Sequence, residues 1–187
     1  MRIETIDLRT ITETDAQAIA TSFVAIWPKP GRTVETMTSS LLSQWRDYRG
    51  PDAQHPRAFV IREDGRVTAH AAAYPRVVGT AAGEMTLMAL ARVCTDPVAR
   101  GRKLGQAVTK AALELVDNGP FPFALFQTNE QVAPFYERLG AVAVNNEFIN
   151  STADDPAFPP FWDRIIMRYP ATGNWPAGQI DLCGPGW

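Results

Sequence analysis

Cysteine is scarce in this chain: of 187 residues only Cys94 and Cys183 carry a thiol. Two such residues make no metal-ligand spacing and no disulfide framework, so a reducing compartment is expected and no metal site is predicted. Long hydrophobic runs are missing too. No stretch approaches the roughly 18 apolar residues of a spanning helix, and nothing near Met1 has the pattern of a signal peptide. A soluble cytoplasmic protein, not engaged with a membrane, is the expectation. An excess of one charge is also absent. The net charge of -2 argues against a general nucleic-acid binder, which needs a basic field. Repeats and low-complexity segments do not occur. With 45% hydrophobic residues the chain can bury one substantial core, so one domain is expected over 1–170, followed by a tail over 171–187.

What is present concentrates in one stretch, Val93-Cys94-Thr95-Asp96-Pro97-Val98-Ala99-Arg100-Gly101-Arg102-Lys103-Leu104-Gly105-Gln106. It follows the apolar run Met85 to Val93. Apolar residues then return at Leu104, Val108, Ala111 and Leu115, the one-face spacing of a helix. A loop delivered straight into a helix leaves the first amide N–H groups without intrahelical partners, and these form a site for an anion. Here Arg100, Arg102 and Lys103 stand beside them, which makes phosphate the favoured guest, and Gly101 and Gly105 permit close backbone approach. An ordinary strand-to-helix turn with solvated charges fits the stretch equally well.

Spacing excludes two nucleotide motifs. Neither Gly-x-x-x-x-Gly-Lys-Ser/Thr nor Gly-x-Gly-x-x-Gly is present. The stretch resembles instead the acyl-CoA pyrophosphate loop of the GCN5-related N-acetyltransferases, Gln/Arg-x-x-Gly-x-Gly/Ala. Arg100 and Gly105 match its ends, and Lys103 replaces its middle glycine. Lys103 is expected to sit in the first right-handed helical turn, where no glycine is needed, and to add a phosphate contact. A second segment, Asn129 to Ala141 with Phe135-Tyr136-Glu137-Arg138-Leu139-Gly140 at its centre, resembles the Asn-x-x-Ala-x-x-Phe-Tyr-x-x-x-Gly-Phe segment after the family's fifth strand.

The order of elements agrees with that family. A first strand at Ile3 to Leu8 leads to a helix capped by Thr12 or Thr14 with Ile19, Phe23, Ile26 and Trp27 on one face, and a second helix is expected from about Val34 to Tyr48. Asp64-Gly65 predicts a tight hairpin between strands at Ala58–Glu63 and Arg66–Tyr74. A turn at Ala81-Ala82-Gly83 leads to the strand Glu84–Cys94, and Asn118-Gly119-Pro120 stops the helix after the loop. A buried strand Phe123–Gln127, a helix from about Glu130 to Leu139, strands at Ala141–Ile149 and Arg164–Tyr169, and a loop over Asp154–Asp163 complete the reading. The resemblance implies an α/β fold (α+β in connectivity) with a mixed sheet of about seven strands and helices on both faces.

What the resemblance implies chemically is direct attack of an amine on the thioester of acetyl-CoA. The phosphates would be held by Arg100, Gly101, Arg102, Lys103, Leu104, Gly105 and Gln106, with Asn129 also at the cofactor. A backbone N–H of Val93, Cys94 or Thr95 would stabilise the thioester oxygen. Tyr136 is the candidate acid for the departing thiolate. With reference pKa values of about 10 for tyrosine and roughly 8.5 for a thiol, the transfer is uphill by only about 2 kcal/mol. No base declares itself: Met88–Arg92 holds no carboxylate, Glu84 lies at the strand's start, and His70 is open either to that task and the substrate or to a structural hydrogen bond.

A narrower similarity, in Ala69-His70-Ala71-Ala72 and Trp175 to Asp181, is to aminoglycoside 2′-N-acetyltransferases and nodulation N-acyltransferases. It implies an amino-sugar acceptor and leaves room for longer acyl donors. Asp181 and the terminal carboxylate of Trp187 would supply negative charge to a cationic amine. The partner expected is therefore a small-molecule amine, with a homodimer allowed. A CoA-binding module without catalysis is the alternative from another class, although such a module has no need of the Tyr136 hydroxyl.

Overall fold

The computed structural model describes residues 2–156 and 158–187; Met1 and Ala157, the latter within the loop expected at 154–163, lie outside the described residues. The chain forms two compact units. One contains the chain up to Tyr74 together with Ala91–Glu114, the other Pro75–Leu90 and Leu115–Trp187.

In the first unit, β1 (Glu4–Asp7), β2 (Arg57–Glu63) and the first part of β3 (Arg66–Thr80) form antiparallel ladders. Asp64 (φ 49°) and Gly65 (φ 76°) both take positive φ, as a two-residue hairpin turn requires. Helix α1 (Glu13–Ile26) starts where the Thr12 hydroxyl accepts the Asp15 N–H, and α2 (Val34–Ser43) starts at a Thr33/Thr36 capping box. Ile19, Ala20 and Phe23 of α1 pack with Leu41, Ala58, Val60 and Cys94 in the core of this unit. Helix α2 ends earlier than its apolar spacing predicts. From Ser43 onward the backbone tightens to i→i+3 bonds, Arg46 to Ser43 and Tyr48 to Trp45.

The second unit carries the far end of β3 and most of β4 (Gly83–Thr95), which is parallel to β5 (Ala124–Thr128) through Met88 and Ala89. Strand β5 is antiparallel to β8 (Ile165–Tyr169), which pairs in turn with the short β6 (Val142–Ala143). The strand expected over Ala141–Ile149 is broken, because Asn146 turns its amide to the carbonyls of Pro176 and Gly178 at 2.9 and 2.8 Å. Its second piece, β7 (Phe148–Ile149), pairs with β9 (Ile180–Asp181) of the tail. The tail is core here: Ile180 and Leu182 are completely buried with Val78, Leu87 and Leu125, and Trp175 and Trp187 pack against them. Parallel and antiparallel pairs in one sheet, joined through helices, make the fold mixed α/β.

Candidate functional site

Strand β4 runs out at Thr95, and the Asp96 N–H donates to the Thr68 carbonyl at 2.9 Å, anchoring the loop to β3. The Asp96 carboxylate accepts the Val98 N–H at 3.0 Å and so caps the short turn Pro97–Ala99. The chain then enters α3 (Leu104–Asp117), whose Leu104, Val108, Ala112 and Leu113 are buried. Two residues of this passage are left-handed, Gly101 (φ 80°) and Lys103 (φ 60°). The right-handed helical conformation expected for Lys103 is therefore corrected: residue 103 precedes the helix and occupies the region glycine prefers. Left-handed residues just before a helix N-terminus are ingredients of backbone anion nests. Gly105 is required for another reason. A Cβ at this position would lie 2.6 Å from the Thr95 hydroxyl oxygen.

The three cations differ in their commitments. Arg102 is paired in two hydrogen bonds with the Glu63 carboxylate, one of them 2.8 Å, and this partner holds the Glu63 pKa below its ordinary value. Arg100 and Lys103 are exposed, while Gln106 is half-buried. Of the oxyanion candidates, Val93 and Thr95 are half-buried. Cys94 is buried, and desolvation pushes its thiol up to about 12, so its side chain is inert and only its backbone remains for chemistry.

His70 stands on β3 in the same unit, 1% exposed, with Nδ1 2.8 Å from the Arg92 carbonyl oxygen. A carbonyl only accepts, so Nδ1 carries the hydrogen. Burial lowers its pKa to about 4. Of the two roles left open for His70, the geometry favours the structural hydrogen bond: its Nδ1–H is committed to a backbone carbonyl and desolvation disfavours its charged form.

In the second unit Tyr136 lies on α4 (Ala133–Glu137), begun by Pro134 in the first turn. The helix is shorter than predicted. The Asn129 carboxamide oxygen accepts the N–H groups of Gln131 and Val132, both at 3.1 Å, and holds those residues in a turn. Tyr136 is 7% exposed and its ring lies 4.5 Å from that of Phe126 and 4.9 Å from that of Phe135, centroid to centroid. The Asp181 carboxylate, partly desolvated, accepts the Ser151 and Cys183 N–H groups at 3.0 and 2.8 Å, and these donors lower its pKa despite the desolvation.

Gln127 was not singled out by its sequence context. Its amide donates to the Trp187 main-chain oxygen at 2.6 Å, and its side-chain carbonyl accepts the N–H groups of Trp162 and Asp163 at 3.0 and 2.8 Å. The Trp187 indole N–H donates to the Leu125 carbonyl at 3.1 Å, and Arg76 lies over the indole at 5.3 Å. One glutamine near the end of β5 thus ties the aromatic loop to Trp187. A polar residue ending an apolar strand was its only signal.

The family model for the acetyltransferase (GNAT) domain matches residues 7–143. No curated protein sequence matches. Among solved structures, an acetyltransferase from Trypanosoma brucei is similar at a TM-score of 0.56 with 20% identity, over 77% of this chain and 95% of that one. A GNAT-family acetyltransferase from Staphylococcus aureus Mu50 gives 0.59 with 11% identity over 89% and 98%. Glucosamine-6-phosphate N-acetyltransferase from Arabidopsis thaliana gives 0.56 with 14% identity over 83% and 100%. At these identities the structural likeness speaks for the fold, whereas the family model spans most of the chain and contains both motifs whole. The chain belongs to the GCN5-related N-acetyltransferase family and is an acyl-CoA-dependent N-acyltransferase.

Proposed function

We propose that this enzyme moves an acetyl group from acetyl-CoA to a primary amine of a small molecule, by direct attack in a ternary complex. The observation that carries the reading is the entry into α3: left-handed Gly101 and Lys103 just before a helix start, whose first amides have no intrahelical acceptor, and a Gly105 whose Cβ would meet Thr95. The amides of Gly101 to Gln106 and the exposed Arg100 and Lys103 hold the pyrophosphate. A backbone N–H of Val93 to Thr95 receives the thioester oxygen as charge develops. The amine nitrogen attacks the thioester carbon and the C–N bond forms as C–S breaks; Tyr136 gives its hydroxyl proton to the departing sulfur, the amine's own proton leaves to water, and a solvent proton restores the Tyr136 hydroxyl. Asp181, fixed by Ser151 and Cys183, places negative charge for a cationic acceptor, and Trp187, held by Gln127, adds an aromatic wall.

A thiol-release assay tests this, with acetyl-CoA and longer acyl-CoA donors against amines including amino sugars and polyamines. Acetyl-CoA should give the highest kcat/KM with at least one small amine. Turnover confined to longer donors would move the donor assignment, and no thiol release with any pair would overturn the reading.

A further inference from the structure

Arg92 is a non-glycine residue inside β4 whose φ is 52°. Neighbouring strand residues have negative φ, so the backbone turns aside at this point, as it does at β-bulges. A kink of this kind persists only where its surroundings over-determine it. Here they do so from two directions. The Arg92 carbonyl accepts the His70 Nδ1–H at 2.8 Å, a side-chain partner on a strand residue. The Arg92 guanidinium lies 5.8 Å from the centre of the Phe23 ring and donates to the Gln44 carboxamide at 3.2 Å. Phe23 also meets the His70 ring edge-on at 4.8 Å and 87°. His70 and Phe23 are both almost completely buried, which leaves the imidazole little room to turn.

The peptide group that His70 holds is Arg92–Val93. Its carbonyl and the Val93 N–H are the two ends of one rigid plane, so fixing the first aims the second. Resting on the function proposed above, we infer that His70 is a positioning residue, which through the Arg92 carbonyl clamps the left-handed kink of β4 and sets the direction of the Val93 N–H toward the thioester oxygen. The imidazole touches no reacting atom. Its chemistry is that of a buried neutral donor, chosen because an acceptor or an apolar ring at this position would free the peptide plane. Lysine or arginine would bring an uncompensated charge into the core instead.

Two substitutions separate this role from simple core filling. His70→Phe keeps the ring and loses the donor, whereas His70→Asn puts an amide N–H near the position of Nδ1. In His70→Phe, amide hydrogen exchange should accelerate at Val93 and its neighbours while α1 and β2 keep wild-type protection. kcat for acetyl transfer should fall by at least about tenfold, toward the roughly 10²-fold typical of a misaimed group, with the KM for acetyl-CoA within about threefold. His70→Asn should restore both exchange and most of kcat. Wild-type exchange at Val93 in His70→Phe would overturn the proposal, whatever the activity. So would equal loss of kcat and melting temperature in the two variants. Should the wild-type enzyme release no thiol with any donor, the functional reading falls while the exchange experiment still decides the clamp.

Discussion

Lys103 occupies the left-handed region at φ 60° on an exposed surface, immediately before α3. An L-residue in that region costs roughly 1–2 kcal/mol, because Cβ approaches the following carbonyl oxygen. Glycine avoids that strain but loses about 0.5–1 kcal/mol more conformational entropy on folding. Lys103→Gly should therefore stabilise the protein by about 0.5–1 kcal/mol. For a chain of 187 residues such a gain corresponds to a rise in Tm of about 1 to 4 °C. Lys103→Ala is the control: it removes the same charge, retains Cβ and its strain, and should melt within about 1 °C of wild type. Because Gly and Ala variants both lack the ammonium, their difference isolates the backbone. Differential scanning calorimetry without CoA measures it. A Lys103→Gly protein melting at or below Lys103→Ala would refute the assignment of strain to this residue.

Gly105→Val should abolish the thermal shift produced by CoA, since its side chain meets the Thr95 hydroxyl; a wild-type shift would remove the loop from CoA binding. Tyr136→Phe should lower kcat by about 10² to 10⁴-fold with CoA affinity unchanged, and calorimetric titration beside steady-state kinetics separates the two. Gln127→Leu, which releases both Trp187 and the aromatic loop, should raise the KM for the amine far more than that for acetyl-CoA. His70 carries a pH signature. Its folded pKa of about 4 lies below the reference 6.5, with Arg92 the charged group facing it, so between these values the unfolded chain binds more protons. Its stabilising contribution is complete above about pH 6.5 and is lost as the pH falls toward 4, by about 3 kcal/mol at most. Urea titrations across that range should show a slope that His70→Phe lacks.

Local chemistry made most of the fold legible. Thr12 at the start of α1 and Asp64-Gly65 between β2 and β3 satisfy nearby backbone groups through interactions a few residues long, so sequence alone locates them. The boundaries that moved depend on distant partners. Asn146 breaks the expected strand because its side chain engages the tail some 30 residues on, where the Trp175 indole N–H also donates to it at 2.6 Å. The tail itself has no periodicity, yet its isolated apolar residues fill the core of the second unit, and β7 and β9 form because that packing brings Phe148 beside Ile180.

The candidate site divides along the same line. Gly101 and Gly105 advertise backbone freedom by residue type, and the cations beside them advertise charge. A left-handed arginine advertises nothing, since its conformation is imposed by a histidine 22 positions earlier and an aromatic ring on α1. His70 looked like chemistry because histidine titrates near neutrality in water. Buried beside Phe23 it does not, and the same desolvation that lowers its pKa to about 4 favours the neutral ring that donates to the Arg92 carbonyl. Losing the base and gaining the clamp are one physical event. The amine's deprotonation is then left to solvent-connected groups, so the pH dependence of kcat/KM should follow the acceptor's own pKa, shifting when amines of different basicity are compared. A profile fixed at one pKa for all amines would instead require a titrating side chain near the acceptor and overturn the assignment to water.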